Sequence, residues 1–112
     1  MATGHYELKK SSNGQYHFTL KASNGEIILS SEMYASKASA ENGIASVQTN
    51  APHETQFEVK VSSNSKPYFV LKAKNHQVIG TSQMYSSESA AKNGVQSVMK
   101  NGPTTDIRDL SV

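Results

Sequence analysis

The chain has 112 residues, 36% of them hydrophobic and 18% charged, and its eleven basic and nine acidic side chains leave a net charge of +2. This balance fits one small soluble globule rather than a disordered tail, and no run approaches the ~18 apolar residues a membrane-spanning helix needs. With no cysteine, disulfides, zinc knuckles, iron–sulfur clusters and thiol nucleophiles are excluded, and basic residues so evenly interleaved with acids do not mark a dedicated nucleic-acid binder.

The opening MATGHYELKK has no apolar segment behind its basic residues, so it does not read as a signal peptide, and the cytoplasm is the expected compartment. HYELKK alternates, with Tyr6 and Leu8 on one face and Glu7 and Lys9 on the other, as a half-buried strand should. QYHFTLKA repeats the alternation with Tyr16, Phe18, Leu20 and Ala22 inward. The SNG between them predicts a three-residue loop with Gly14 in the left-handed region, which pairs Ser11 with Gln15 and keeps both apolar sets on one face.

Asn24-Gly25 then reads as a type I′ turn into EIILS, placing Ile27 and Leu29 inward and Ile28 outward. An outward isoleucine is awkward, and either a bulge or a partly covered face would account for it. Met33-Tyr34 follows, read as a plug at the end of the core, with a ligand-lined pocket as the competing reading. Ser36 stands as the N-cap of KASAENGIASVQ, in which Ala40, Ile44 and Val47 form one narrow apolar stripe. Gly43 lies beside the stripe and costs about 1 kcal/mol relative to alanine, which points to close packing against the helix. Asn50-Ala51-Pro52 ends the helix.

Shifting the chain by about 51 positions then lays Tyr6 to Pro52 on Phe57 to Pro103 without a gap, and nearly half of the pairs are identical. The second copy keeps FEVKV, PYFVLKA and QVIGTS, Met84-Tyr85, the cap Ser87, the stripe Ala91, Val95, Val98 and the mid-helix Gly94. Its turns carry Ser65 and His76 where the first copy has Gly14 and Gly25, so looser turns or another type are expected there. The tail TTDIRDLSV has Ile107 and Leu110 to bury and reads as an edge strand. A unit of about 50 residues is marginal alone, so the copies are expected to be two halves of one domain, about 5–55 and 56–110. The expected architecture is α+β: two tandem βββα(β) repeats sharing one antiparallel sheet, with both helices on one face and a pseudo-two-fold axis between them.

LKASNGEIILSSEMY, SKASAENGIASV and LKAKNHQVIGTSQMY resemble the signature segments of the YegP-like family, a bacterial domain of unknown function found singly and in tandem. The resemblance spans about Tyr6 to Leu110. It implies that units share a sheet by exchanging C-terminal strands, here the segment after Pro52 and the tail after Pro103. It also implies a fused dimer that is monomeric in solution. It brings no activity, ligand or catalytic residue with it.

The residues carry no catalytic constellation of their own. His5, His17, His53 and His76 are unduplicated and lack helical metal-site spacing, so they read as surface histidines. Glu7 and Glu58 each sit two residues from a lysine on the outward face, where charge balancing explains them. There is neither a G-x-S-x-G elbow nor a phosphate loop. The outward face carries Lys9, Lys21, Lys60 and Lys72 with His17 and Tyr68, a candidate binding face. The leading reading is a non-catalytic, cofactor-free binding module acting through that face or a sheet edge. The alternative is single-stranded nucleic-acid or anion binding by the lysines.

Overall fold

The computed structural model describes residues 4–111; residues 1–3, part of the opening read above against a signal peptide, and residue 112 lie outside the described residues. The first half gives β1 (His5–Lys10), β2 (Tyr16–Lys21), β3 (Ile27–Ser30) and α1 (Lys37–Asn50). A 3-10 turn (Glu54–Gln56) leads into β4 (Phe57–Val61), β5 (Pro67–Lys72), β6 (Val78–Thr81), α2 (Glu88–Asn101) and β7 (Ile107–Asp109). The strands form one sheet in the order β4-β5-β6-β3-β2-β1-β7, with both helices on one face. The halves meet at its centre, where Ser30 pairs with Thr81.

The sheet is mixed, not wholly antiparallel: Tyr6, Glu7 and Leu8 pair in parallel with Ile107, Arg108 and Asp109. A parallel neighbour requires a crossover, and α2 supplies it by returning the chain from the second half to the first. The tail is thus an exchanged strand. The segment after Pro52 is not. It curls through the 3-10 turn and enters β4, which pairs with β5 of its own half. In a fused chain that stretch must begin the second half's first hairpin, so it cannot also cross over.

All four hairpin turns share one geometry, which corrects two expectations. Ser11 N–H donates to Gln15 C=O at 2.8 Å, and Ala22 N–H to Glu26 C=O at 2.9 Å. Ser62 to Lys66 and Ala73 to Gln77 repeat the bond at 2.9 Å. Asn24-Gly25 therefore closes a three-residue loop, not a type I′ turn. Ser65 (φ 66°) and His76 (φ 70°) adopt the same left-handed backbone as Gly14 and Gly25 instead of loosening the turn. An asparagine precedes each of these residues, and the Asn13, Asn24 and Asn75 Oδ1 atoms each accept the N–H two residues on. That clamp helps to hold a backbone that costs a non-glycine residue about 1–2 kcal/mol.

The changed register also resolves the isoleucine problem. Lys21 pairs with Ile27 and Leu20 with Leu29, so Ile28 is the extra residue of a bulge. Ile28 is buried in the core and Ile27 is the exposed one. A matching bulge between Leu71 and Lys72 lets Ile79 turn in.

Ser36 and Ser87 cap the helices by accepting the N–H of Ser39 and Ala90, each at 3.1 Å, a device worth about 1 kcal/mol. The stripe Ala40, Ile44, Val47 and its repeat Ala91, Val95, Val98 are buried. A Cβ on Gly43 would lie 2.5 Å from Tyr34 Oη and 2.9 Å from Phe18, and Gly94 meets Tyr85 and Phe69 in the same way. Each tyrosine stacks on that phenylalanine, with ring centroids 6.2 Å apart in the first half and 6.1 Å in the second. Met33 and Met84 do not join the plug; they are exposed, because the chain turns their side chains away as it enters the cap.

The two helices are shared between the halves. α1 packs on β2, β5 and β6, and α2 on β2, β3, β4 and β5. Near the pseudo-axis the copies deliberately differ in size. Leu29 fills the space over Gly80, its repeat mate, and Ala51 at the end of α1 touches the backbone of Gly102 at the end of α2.

Candidate functional site: the open sheet face and the β4 edge

The helix-free face is organised by one row that crosses each strand of the described residues: Glu58, Val70, Thr81, Ser30, Thr19, Glu7 and Arg108. Lys9 stands beside His17, and Lys60 beside Tyr68, one step out on either flank. Lys21 is paired with His5 and Ile27, and Lys72 with Val78. The structure therefore brings the candidate residues into two clusters, one per half, rather than into one continuous patch.

The carboxylates decide what these lysines can do. Lys21 Nζ lies 3.2 Å from Glu7 Oε2 and Lys9 Nζ 3.5 Å from Oε1, while His5 Nε2 lies 2.9 Å from Oε2. Lys72 Nζ lies 2.5 Å from Glu58 Oε1. Hydrogen bonding from His5, then from Lys21, outweighs the cost of burial and holds the Glu7 carboxyl down at about 2. The bond from Lys72 lowers Glu58 likewise. Three of the four lysines thus spend their charge on acids of the same face. His17 is half-buried, and its Nδ1 and the Thr19 Oγ1 are covered without a hydrogen-bond partner among the described residues.

Glu7 gives a pH prediction. Its folded value lies below its ordinary 4.5, so its contribution to stability is complete above that value and is lost as pH falls through about 2. Urea midpoints measured from pH 7 to pH 2 should show Glu7→Gln weaker at pH 7 and the two proteins converging at the acid end. Curves that stay parallel throughout would show that Glu7 is not held down by the fold.

The two ends of the sheet are unequal. On the β1 side, Tyr6 N–H donates to Asp106 C=O at 2.9 Å and Leu110 N–H to Leu8 C=O at 2.8 Å, so β7 covers the edge. The Lys37 ammonium of α1 pairs with Asp109, and Gln48 Nε2 donates to Thr104 C=O at 2.8 Å. Tyr6 and Leu8 there are 0% and 1% exposed. On the far side, among the described residues, no strand flanks β4. Val59, the repeat mate of Leu8, is 38% exposed, and Val61 is 68% exposed. A groove of about 360 Å³ lies there between β4 and α2, lined by Phe57, Val59, Val95, Gln96, Lys92 and Glu54. The sequence points to a sheet edge without saying which one. The signal was present in the offset, which lays the start of β7 on residue 56, a position already absorbed by the turn into β4.

Against known proteins, the pattern of the family described as Domain of unknown function (DUF1508) matches twice, over residues 11–58 and 62–109. The chain belongs to this family. Its relatives include the UPF0339 protein YegP of Yersinia pestis, 73% identical over 112 residues and covering all of both chains. A UPF0339 protein of Shewanella oneidensis is 62% identical over 109 residues, covering 97% of this chain and 99% of the other. Solution NMR structures superpose closely. The Shewanella oneidensis UPF0339 structure has a TM-score of 0.92 at 61% identity, covering 98% of this chain and 93% of that one. The yegP structure of Escherichia coli has a TM-score of 0.94 at 51% identity, covering 99% and 96%. Family and fold are thereby fixed, and the names of these relatives carry no activity.

Among the described residues, no helix is long and apolar enough to cross a membrane, and no group of three His, Asp or Glu side chains is placed to hold a metal ion.

Proposed function

We propose that the chain is a non-catalytic binding module of the cytoplasm, a monomer that engages another protein through the open β4 edge of its sheet. The observation that carries this reading is the contrast between two repeat mates: Leu8 sealed beneath a flanking strand, Val59 and its neighbour Val61 exposed on an edge that no strand of the described residues flanks. An unpaired edge offers a row of backbone donors and acceptors, and natural proteins that do not use such an edge blunt it with charge, proline or a covering segment. β4 carries such charges in Glu58 and Lys60, yet alternates them with two exposed valines. The nucleic-acid alternative is weaker, since Glu7 and Glu58 already pair with Lys9, Lys21 and Lys72.

The test compares proteins captured from nuclease-treated lysate by the wild type and by a Val59→Lys/Val61→Lys variant whose folding is verified by its NMR spectrum. Partners that the variant loses support the edge. An identical set of partners removes it. Salt-sensitive oligonucleotide binding abolished by Lys21→Glu plus Lys72→Glu would transfer the function to the lysine face.

A further inference from the structure

The repeat makes it possible to say what kind of strand the β4 edge would take. Each half has a first strand followed by a hairpin and a helix, and the first half's strand is completed by β7. Two equal halves would need eight strands. Among the described residues the sheet has seven, because the stretch after α1 that corresponds to β7 is consumed in starting β4. The groove beside β4 is therefore the vacant twin of an occupied slot, and β7 is the template for its occupant.

The repeat offset makes β7 a template for the occupant's direction and side chains. It runs parallel to β4, as β7 runs parallel to β1. At the position of Ile107 it carries an apolar residue. Its next residue falls beside Glu58, as Arg108 falls beside Glu7 in register while its guanidinium pairs with Asp106. The residue after that faces the first turn of the helix. In the occupied slot this is Asp109, held by Lys37. In the vacant slot the helix position of Lys37 is Glu88 and that of Glu41 is Lys92, so the charge order is inverted. Glu88 and Lys92 here pair with each other at 3.2 Å, both well exposed, and Glu54 adds a further acid at the groove.

We propose that the β4–α2 groove accepts a parallel, extended segment of another protein with an apolar residue followed by two basic ones. Backbone bonding to β4 supplies the pairing, Phe57 and Val95 receive the apolar side chain, and Glu58, which also holds Lys72, and Glu88 face the two cations. A second copy of this chain fits poorly, because its β7 would set Asp109 against Glu88.

This inference rests on the edge reading above, and its test is separable from that one. The probe is an acetylated, amidated peptide of residues 104–111 with Asp109→Lys, compared with the unchanged peptide, titrated into the isotope-labelled full chain. Amide shifts should cluster at Val59, Val61, Glu88 and Val95, and the lysine peptide should bind about fivefold more tightly than the aspartate peptide. In the double variant Glu88→Lys/Lys92→Glu, which restores the first half's charge order, that preference should reverse. Shifts confined to the lysine face, equal affinity of both peptides in both proteins, or no shifts at millimolar peptide would each overturn the assignment. So would concentration-dependent shifts at the edge without peptide, which would make a second copy the occupant. If captured partners depend on Val59 and Val61 while the peptides fail, the edge stands and only its occupant is misassigned; if the partners do not depend on them, the edge itself falls.

Discussion

Cutting the chain after Pro52 is expected to unfold both pieces. A fragment of residues 1–52 retains β1 to β3 and α1, but α1 would lose β5 and β6 and β1 would lose β7. A fragment of residues 53–112 keeps α2 without β2 and β3 beneath it. A chain of about 50 residues already buries only some 60% of its unfolded surface, and these cuts remove part of that. Each piece alone, at about 10 µM to suppress self-association, should give the narrow amide dispersion of an unfolded chain. Mixing equal amounts should restore the dispersed spectrum of the intact protein. We propose on this basis that the two repeats form a single domain. A sharp, dispersed spectrum from either piece alone would show that the repeat is two independent folds joined in line.

The sequence exposed most of this architecture because its signals are periodic and local. Alternation in HYELKK and QYHFTLKA, the stripe at Ala40, Ile44 and Val47, and the caps Ser36 and Ser87 depend on near neighbours and were legible residue by residue. The register of β3 was not. Asn24-Gly25 suits either a type I′ turn or the end of a three-residue loop, and only the bond from Ala22 to Glu26 separates them. Once that bond exists, the bulge at Ile28 follows. At Ser65 and His76 the absence of glycine suggests a change of turn, but the preceding asparagine is the constant feature. The parallel pairing of β7 and the bare edge of β4 depend on which half a strand joins after a helix, a long-range choice that leaves no local trace. The lysine face was legible in position but not in charge state, since cross-strand neighbours determine which cation meets Glu7.

The pair Leu29 and Gly80 should be intolerant of change singly and tolerant together. The pseudo-axis relates the two positions, so two leucines would contend for one space and two glycines would leave it empty. A Cβ added at Gly80 would lie 2.6 Å from a methyl of Leu29. Gly80→Leu should therefore cost about 3 kcal/mol through overpacking. Leu29→Gly should cost about 4 kcal/mol, combining the lost burial and cavity of a core leucine with the flexibility of glycine in a strand. In the swap Leu29→Gly/Gly80→Leu, the leucine enters the same central space from the other side. The double variant should then lose about 1 kcal/mol, far less than either single change, the coupling expected of residues in contact across one space. With no tryptophan in the chain, denaturant unfolding followed by far-UV circular dichroism is the suitable measurement. Additive losses in the double variant would mean that Leu29 and Gly80 sit in unrelated surroundings, and the pseudo-symmetric centre of the core would have to be abandoned. Coupling of the expected size would also explain why a half is poorly suited to pairing with its own copy: the first would bring leucine to leucine, and the second would bring glycine to glycine.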